Sequence, residues 1–310
     1  MRLYRGLPAR ADGPIALTIG NFDGVHRGHQ AMLLRLCEAA DDLRLTPAVL
    51  TFDPHPREFF ARAGAPPRLT RLAQKLEVFR AFGVARTYVA RFDAGLAQLS
   101  PTSFIEEVLR RRLEVRWVLV GEDFRFGKGR AGDLAVLRTH ARTFSVESMH
   151  TVTVDGERAS SSAVRTALAA GEMERAAALL GRPYTISGRV AHGEKRGRVL
   201  GFPTANLPLT RRPPLTGIFA VRVHGLGNTP HEGVASVGVR PTITENGQPI
   251  VEVYLFDFAD TIYGRRVRVE FLHKLRDEEK YSDLDALVRQ IRADVAQARD
   301  YFATATAAAA

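Results

Sequence analysis

The sequence predicts an α/β domain with a mostly parallel sheet, followed by an antiparallel β-barrel that ends in a helix. In the first half, short apolar runs alternate with helical patterns, as in parallel sheets with helices on both faces. After Gly181-Arg182-Pro183, short alternating segments follow one another without a long helix. The 310 residues are enough for two domains of ordinary size. We therefore expect one domain over residues 1–182 and a second over 183–310.

Four apolar runs in the first half have the length and composition of buried strands. They are Ile15–Ile19, Ala48–Phe52, Thr87–Phe92 and Trp117–Val120, with a last strand or pair of strands within 144–154. The intervening patterns predict helices over His29–Cys37, Leu72–Phe82, Ser100–Leu109 and Asp133–Thr139. A further helix is expected to begin after Ser160-Ser161-Ser162, because hydroxyl residues often cap helices.

Five segments alternate in the second half, and a series of five or six strands at this spacing is typical of an antiparallel barrel. They are Thr185–Val190, Ile218–Val223, Val234–Val239, Ile250–Phe258 and Val267–Leu272. From Ser282 the pattern predicts an amphipathic helix that packs on its own domain. Ser282 and Asp285 resemble a capping box at its start.

The charge, the cysteine content and the lengths of the apolar runs limit the partners and the compartment that we expect for this protein. The net charge is +10, but the basic clusters, Arg110–Arg112 and Arg211–Arg212, are short and scattered, so we expect solvated surfaces and no nucleic-acid partner. Cys37 is the only cysteine, which excludes an intramolecular disulfide and fits a reducing compartment. No signal segment or membrane-length apolar run is found, so we expect a cytoplasmic protein without a membrane partner.

The turn after the first predicted strand is the strongest candidate site. Gly20, Gly24 and Gly28 punctuate it, and His26 and His29 lie where the next helix begins. Histidines three residues apart share one face of a helical turn, and a helix N-terminus attracts anions. The alternative is a plain turn with two surface histidines. The three glycines favour a phosphate site.

Other polar residues follow the later strands, where ligands of open α/β sheets bind. Asp53 and His55 follow the second strand and could join the first site, although a surface turn is the alternative. The Gly121–Gly132 loop carries Phe124 and Phe126, which could stack on a flat ring or fill the core. Arg165, after the three serines, could reach phosphates, but spacing alone leaves this open.

In the second half, residues His192–Gly201 are rich in glycine and cations and suit a loop that wraps phosphates. Pro203 stiffens the next segment, which presents Thr204 and Asn206 on one side. A hydroxyl and an amide oxygen are hard ligands suited to Mg²⁺. The Gly-Lys-Ser/Thr ending of a Walker motif is absent.

Glu252 lies in an alternating strand and shares one face of it with the aromatic residues Tyr254 and Phe256. A carboxylate on a buried face could act as a general base. A solvent-facing glutamate is the alternative, and spacing alone favours it.

Taken in order, these motifs resemble the prokaryotic bifunctional riboflavin kinase/FAD synthetases over about residues 14–302. The matching segments are Gly20–His29, Thr51–Pro56, Gly121–Gly127, Ser160–Arg165, Gly201–Asn206, Val239–Thr242 and the strand of Glu252. One departure is Ser162, which stands where the family usually has threonine.

The resemblance implies a C-terminal riboflavin kinase. Glu252 would accept the proton of the ribityl hydroxyl, and Thr204 and Asn206 would hold Mg²⁺. The nucleotide or flavin would be bound by Gly193, Arg198, Gly201, Phe202, Pro203 and Arg240.

It also implies an N-terminal Rossmann-like nucleotidyltransferase that makes FAD from FMN and ATP. His26, His29 and Arg165 would act on the phosphates. Further binding residues would be Gly20, Phe22, Asp23, Gly24, Gly28, His55, Asp123, Phe124, Phe126, Ser161 and Ser162. The expected partners are the small molecules ATP, riboflavin and FMN, and the expected state is a monomer or weak homo-oligomer.

Overall fold

The computed structural model describes residues 1–61, 64–193, 197, 200–239 and 248–309. Backbone contacts divide the chain into two compact units. The first contains Met1–Pro66 and Thr70–Ser161, and the second contains Pro67–Leu69 and Ser162–Ala310. The domain boundary expected after residue 182 stays a prediction.

The first unit is built on a six-stranded parallel sheet, which confirms the predicted fold class. Its strands are β1 (Arg2–Arg5), β2 (Ile15–Ile19), β3 (Thr46–Asp53), β4 (Arg86–Arg91), β5 (Val115–Gly121) and β6 (Ser145–Met149). Their spatial order is β1-β4-β3-β2-β5-β6, and a small antiparallel pair, β7 (Thr153–Val154) and β8 (Glu157–Arg158), follows. Strand β1 was not predicted, because it is a largely exposed edge strand without a buried apolar run.

Helices cover both faces of this sheet. They are α1 (Arg27–Asp42), α2 (Pro56–Ala61), α3 (Leu72–Ala81), α4 (Ala94–Ala97), α5 (Pro101–Ser103) and α6 (Leu134–His140). Residues Phe104–Arg112 form a π-helix, a variant that the predicted helical pattern does not distinguish. Along β2, Ile15 and Leu17 pack in the core on one side of the sheet, whereas Ala16 packs in the core on the other side.

The strand order creates a crevice at one edge of this sheet. From β2 the chain adds β3 and β4 on one side and then returns to add β5 and β6 on the other. The connections at the carboxyl ends of β2 and β5 therefore diverge, and ligands of doubly wound sheets bind at such a point. Both glycine-containing loops that the sequence analysis selected, after β2 and after β5, leave the sheet there.

The second unit contains helices α7 (Ser161–Ala170, whose first residue counts with the first unit) and α8 (Met173–Leu180), then an antiparallel sheet. Its strands are β9 (Tyr184–Arg189), β10 (Thr204–Pro208), β11 (Gly217–His224), β12 (His231–Val239), β13 (Pro249–Leu255) and β14 (Arg266–Arg276). The order is β10-β13-β12-β11-β14-β9. Ala191, just beyond β9, pairs with Asn206 of β10, so the sheet curls toward closure as the barrel prediction requires.

Helix α9 (Leu284–Ala309) ends the chain and packs on β11, β12 and β14. Its residues Ala298 and Phe302 share a core cluster with Ala220 and Phe256, as its apolar pattern predicts. The predicted capping box of Ser282 and Asp285 is wrong. Asp283 accepts the hydrogen bond from the Ala286 amide at 2.7 Å instead, since this carboxylate reaches the first turn directly.

A buried ion pair joins α9 to the end of β14. Both oxygens of Asp294, which is 3% exposed, accept hydrogen bonds from the Arg276 guanidinium at 2.7 Å. Gln290 donates to the same carboxylate at 3.0 Å. This planar pairing holds the segment after β14 against the helix.

We expect Asp294→Ala to lower the free energy of unfolding of the second unit by about 3 kcal/mol, because the Arg276 cation stays mostly buried without its partner. Urea unfolding followed by circular dichroism measures the change. Arg299→Ala, which breaks an exposed pair with Asp257, should cost less than about 1 kcal/mol. Equal losses in the two variants would contradict this difference.

Candidate functional site

The turn after β2 has an unusual backbone. Phe22, Gly24 and Val25 adopt φ values of 49°, 86° and 43°, and the two non-glycine residues are fully buried. Such positions cost a non-glycine residue about 1–3 kcal/mol, so burial must hold them in place. The Phe22 ring packs edge-on against Phe79, with ring centroids 5.2 Å apart.

Asp23 ties this turn to a distant segment. Its Oδ1 accepts hydrogen bonds from the amide (3.1 Å) and the hydroxyl (3.3 Å) of Thr70, and that hydroxyl accepts one from the Gly24 amide at 3.0 Å. The carbonyl of Asp23 accepts a hydrogen bond from the Ser161 hydroxyl at 2.8 Å. Asp23 and Ser161 therefore shape the turn.

The two histidines meet at the start of α1. Their rings stack with centroids 3.7 Å apart and an interplanar angle of 26°, as the three-residue spacing predicts. Gly28 allows this approach, because a Cβ there would lie 3.3 Å from both the His26 ring and the Ala159 carbonyl. Nδ1 of His29 is buried and has no hydrogen-bond partner among the described residues. A buried polar atom of this kind at a helix N-terminus fits a site for an anionic ligand.

Lys75 of α3 brings a positive charge to the histidines. It is 7% exposed and its ammonium group donates to the Asn21 carbonyl. Burial, the neighbouring His26 and Lys75 together hold the pKa of His29 well below 6.5. At neutral pH His29 is therefore an uncharged imidazole beside a lysine cation. Sequence reasoning missed Lys75, although a lysine on an inward-facing helical position is a signal in itself.

The loop after β5 divides its aromatic residues between two environments. Phe126 is 7% exposed and lies between the rings of Phe104 (5.5 Å) and Phe124 (5.4 Å). Its ring also lies on Gly132, where a Cβ would approach within 2.8 Å. The structure thus places Phe126 in the core, whereas Phe124 is half-buried at its edge. Asp123 is exposed and forms an ion pair with Arg158.

Near the carboxyl ends of β3 and β4 lies an aromatic cluster that was not predicted from the sequence. Phe59, Phe60 and Phe92 contact one another with centroids 5.2–5.8 Å apart, and Phe60 is 68% exposed. His55, just before them, accepts a hydrogen bond at Nδ1 from the Arg57 amide. This imidazole is thereby oriented by the start of α2.

Two of the predicted phosphate-site residues belong to the second unit. Ser162 is exposed, and Arg165 donates through Nε to the Pro67 carbonyl at 2.7 Å within that unit. Their roles stay predictions.

In the second unit, strand pairing brings the other predicted residues together. Asn206 of β10 lies directly opposite Glu252 of β13, and Thr204 lies opposite Tyr254. Directly opposed residues have Cβ atoms about 5 Å apart on one face of the sheet. On the other side of Glu252, Ser236 of β12 is its partner. Since Val251, Val253 and Leu255 are buried, Glu252 and Tyr254 occupy the opposite, half-buried face.

Asn206 fits tightly against the segment that precedes β10, which contains Gly193 and Gly197. It is 7% exposed, and its Nδ2 donates to the Thr204 carbonyl at 3.2 Å, so the atom able to ligate a cation is Oδ1. A Cβ on Gly193 would lie 2.5 Å from that amide, and one on Gly197 would lie 2.3 Å from the Phe202 carbonyl. Both positions therefore require glycine. The two side-chain oxygens on this face of β10, the Thr204 hydroxyl and Asn206 Oδ1, are ligand types that suit Mg²⁺.

The remaining predicted residues of this site flank β10. Gly201 has a φ of +85°, and the Phe202 ring packs edge-on against Tyr254 at 5.3 Å. Pro203 and Thr204 line a cavity of about 300 Å³ together with Val253, Leu255 and residues 258–263. Arg198 and Arg240 lie outside the described residues.

The described residues can also be considered as a metal centre or a membrane anchor. No group of three or more His, Cys, Asp or Glu side chains is placed to hold a metal ion there. Within the same residues, no helix has both the length and the apolar character needed to cross a bilayer.

Comparison with known proteins gives matches over nearly the whole chain. The FAD synthetase family model matches residues 9–163 and the riboflavin kinase model matches residues 180–302. Relatives described as bifunctional riboflavin kinase/FMN adenylyltransferase include proteins of Escherichia coli K12 and Pseudomonas fluorescens. The first is 44% identical over 97% of this chain and 98% of its own length, and the second is 47% identical over 96% and 97%. A solved structure described as a macrolide-efflux protein from Streptococcus pneumoniae is 28% identical, covers 95% of this chain and 97% of its own, and has a TM-score of 0.81.

The lowered pKa of His29 predicts a dependence of stability on pH. Below pH 6.5 the unfolded chain binds a proton at this residue that the folded chain does not bind, so stability is full above pH 6.5 and falls as the pH decreases. The slope attributable to one histidine is at most about 1.4 kcal/mol per pH unit. Urea unfolding between pH 7.5 and 5.5 should show a shallower fall for His29→Gln than for the wild type. Identical slopes would contradict the lowered pKa of His29 in the folded chain.

Proposed function

The chain belongs to the family of bifunctional riboflavin kinase/FMN adenylyltransferases, and from that premise we propose how its residues divide the two activities. Its N-terminal part is an FAD synthetase domain and its C-terminal part is a riboflavin kinase domain. We propose that the functional domains meet between residues 182 and 183. Gly181, in a left-handed conformation with a φ of 72°, ends α8 there, and Pro183 follows.

The pairing of Asn206 with Glu252 is the observation that carries the kinase proposal. The terminal ribityl hydroxyl of riboflavin attacks the γ-phosphorus of ATP, the bond to the bridging oxygen breaks, and ADP leaves. Glu252 accepts the hydroxyl proton. Thr204 and Asn206, on the same face, would hold Mg²⁺, which would offset charge on the transferred phosphoryl group when bound. Because Glu252 lies opposite Asn206 in this register, a proton acceptor at Glu252 would stand beside the candidate cation ligands.

The nucleotide of the kinase reaction is proposed to use the cavity beside Thr204. Its apolar wall, formed by Val253 and Leu255, suits a base, and its Thr204 end lies on the same strand as Asn206. Six further residues would complete this nucleotide site: Gly193, Arg198, Gly201, Phe202, Pro203 and Arg240. For Arg198 and Arg240 the support is the sequence motif alone.

In the adenylyltransferase reaction, a phosphate oxygen of FMN attacks the α-phosphorus of ATP and pyrophosphate leaves. The nucleophile is already anionic, so no general base is required. His26 and His29 would donate hydrogen bonds to phosphate oxygens, while Lys75 and the N-terminus of α1 supply positive potential. Ser162 and Arg165 would hold the leaving group.

The other residues predicted for this site have two kinds of role. Phe22, Asp23, Gly24, Gly28 and Ser161 shape the turn through the contacts described above, as Gly20 does by accommodating the Phe22 ring. Asp123, Phe124 and His55 lie on loops at the carboxyl edge, and Phe126 supports Phe124 from the core. The cluster of Phe59, Phe60 and Phe92, in which Phe60 is exposed, suits stacking with a flat flavin ring.

We further propose that ATP, riboflavin and FMN are its only partners apart from a weak self-association at most, and that the protein works in the cytoplasm. The scattered basic clusters and the single cysteine support this.

Glu252→Gln should lower the rate of FMN formation by about 10²–10⁴-fold, because the proton acceptor is lost. The conversion of supplied FMN to FAD should be unchanged. Chromatography of the flavins formed from riboflavin or FMN with MgATP measures both rates. Glu232→Gln, another half-exposed glutamate on the same sheet face, serves as the control and should leave both rates intact. Loss of both activities in Glu252→Gln would contradict separate sites.

His29→Ala should have the opposite effect. Removal of a phosphate hydrogen-bond donor should lower FAD formation from FMN by about 10²-fold, while FMN formation continues. His140→Ala, a half-buried histidine of α6, is the matched control. FAD synthesis at the wild-type rate in His29→Ala would refute the phosphate-binding role.

A further inference from the structure

A second carboxylate lies against the strand next to Glu252. Glu278, in the segment that follows β14, accepts a hydrogen bond at Oε1 from the Ser236 hydroxyl at 3.3 Å. A Cβ on Gly238 would lie 2.0 and 2.4 Å from its two carboxylate oxygens. The carboxylate therefore rests on the bare backbone of β12, and this position depends on glycine at 238.

Glu278 is close enough to Glu252 for their charges to interact. Partial burial, and then the charge of Glu252, raise the pKa of the Glu278 carboxyl, while Ser236 and Arg276 oppose this rise. Ser236 is also the cross-strand partner of Glu252. One face of three adjacent strands thus presents Asn206, Glu252 and Ser236 in a row, with Glu278 at its end.

Helix α9 holds Glu278 in this place. Arg276, two residues earlier, is locked by the buried Asp294, and its Nη1 donates to the Asp277 carbonyl at 2.9 Å. The segment is thereby anchored before any ligand binds. Two like charges kept together by an anchored loop cost stability, and such an arrangement is typical of functional sites.

The chemistry of the two carboxylates limits what can bind between them. Ionised carboxylates only accept hydrogen bonds, so their ligand must offer several donors spaced along its length. The hydroxyls of a polyol chain meet this requirement. Nucleotide phosphates, which are anionic and also acceptors, would be repelled. Glu278 is exposed as a residue, so a ligand can reach it.

We propose that Glu278 recognises the ribityl chain of riboflavin in the kinase reaction. It accepts hydrogen bonds from inner hydroxyls of the chain and so presents the terminal hydroxyl to Glu252. This inference rests on the proposed role of Glu252 as proton acceptor. Glu278 takes no proton from the reacting hydroxyl and contacts no reacting phosphate.

The test compares riboflavin with lumiflavin, a flavin without the ribityl chain, on the full-length protein. In Glu278→Ala, the KM for riboflavin should rise about 10-fold or more, because hydrogen bonds to a charged acceptor are lost. The KM for ATP and the inhibition constant of lumiflavin against the kinase reaction should stay the same. Glu278→Gln, which keeps one acceptor oxygen and the side-chain shape, should fall between the wild type and Glu278→Ala.

Glu279→Gln is the matched control, since this neighbouring glutamate is exposed and accepts a hydrogen bond from the Tyr281 hydroxyl. All kinase constants should be unchanged in it. An unchanged KM for riboflavin in Glu278→Ala would overturn the proposal. A parallel rise in the inhibition constant of lumiflavin would place Glu278 at the flavin ring. A rise in the KM for ATP would place Glu278 at the nucleotide. Either result would also overturn the proposal. If Glu252→Gln kept full FMN formation, the role of Glu252 would fail, yet the riboflavin–lumiflavin comparison would still report on Glu278.

Discussion

The register between β10 and β13 is the constraint on which the kinase site depends. It places Asn206 opposite Glu252, and a shift of one residue would turn Glu252 to the buried face. Such a shift would also expose Val251, Val253 and Leu255, which are buried in the barrel. The hydrophobic core therefore determines where the polar groups stand, because only one register buries the apolar side chains.

The turn after β2 follows the same physical rule in a different fold. Phe22 and Val25 are buried in a backbone conformation that is unfavourable for them, and their packing offsets the strain. With the turn held in this way, His26 and His29 stack on each other beside Lys75. Because His29 is uncharged, the permanent positive charge at this point comes from the lysine. In this domain too, buried apolar residues fix the backbone that positions the polar residues of the candidate site.

Much of this could be predicted from the sequence, and the failures have identifiable causes. The bounds of β2 were predicted correctly because a fully buried strand is an uninterrupted apolar run. Strand β1 was missed because an exposed edge strand lacks that pattern. Phe124 and Phe126 form an identical pair in the sequence, but only Phe126 lies in the core. The cap at Asp283 rather than Ser282 was decided by which side chain reaches the first turn.

By itself, the sequence determined the class of each half, the family, and which residue types gather near each strand end. These properties follow from periodicity and from motifs that are local in the chain. Only the tertiary structure decided which distant residues meet: Asp23 with Thr70, His29 with Lys75, Asn206 with Glu252, and Ser236 with Glu278. The reason is that these neighbours are separated by about 40 residues or more, and strand pairing and core packing, which act across the whole unit, bring them together.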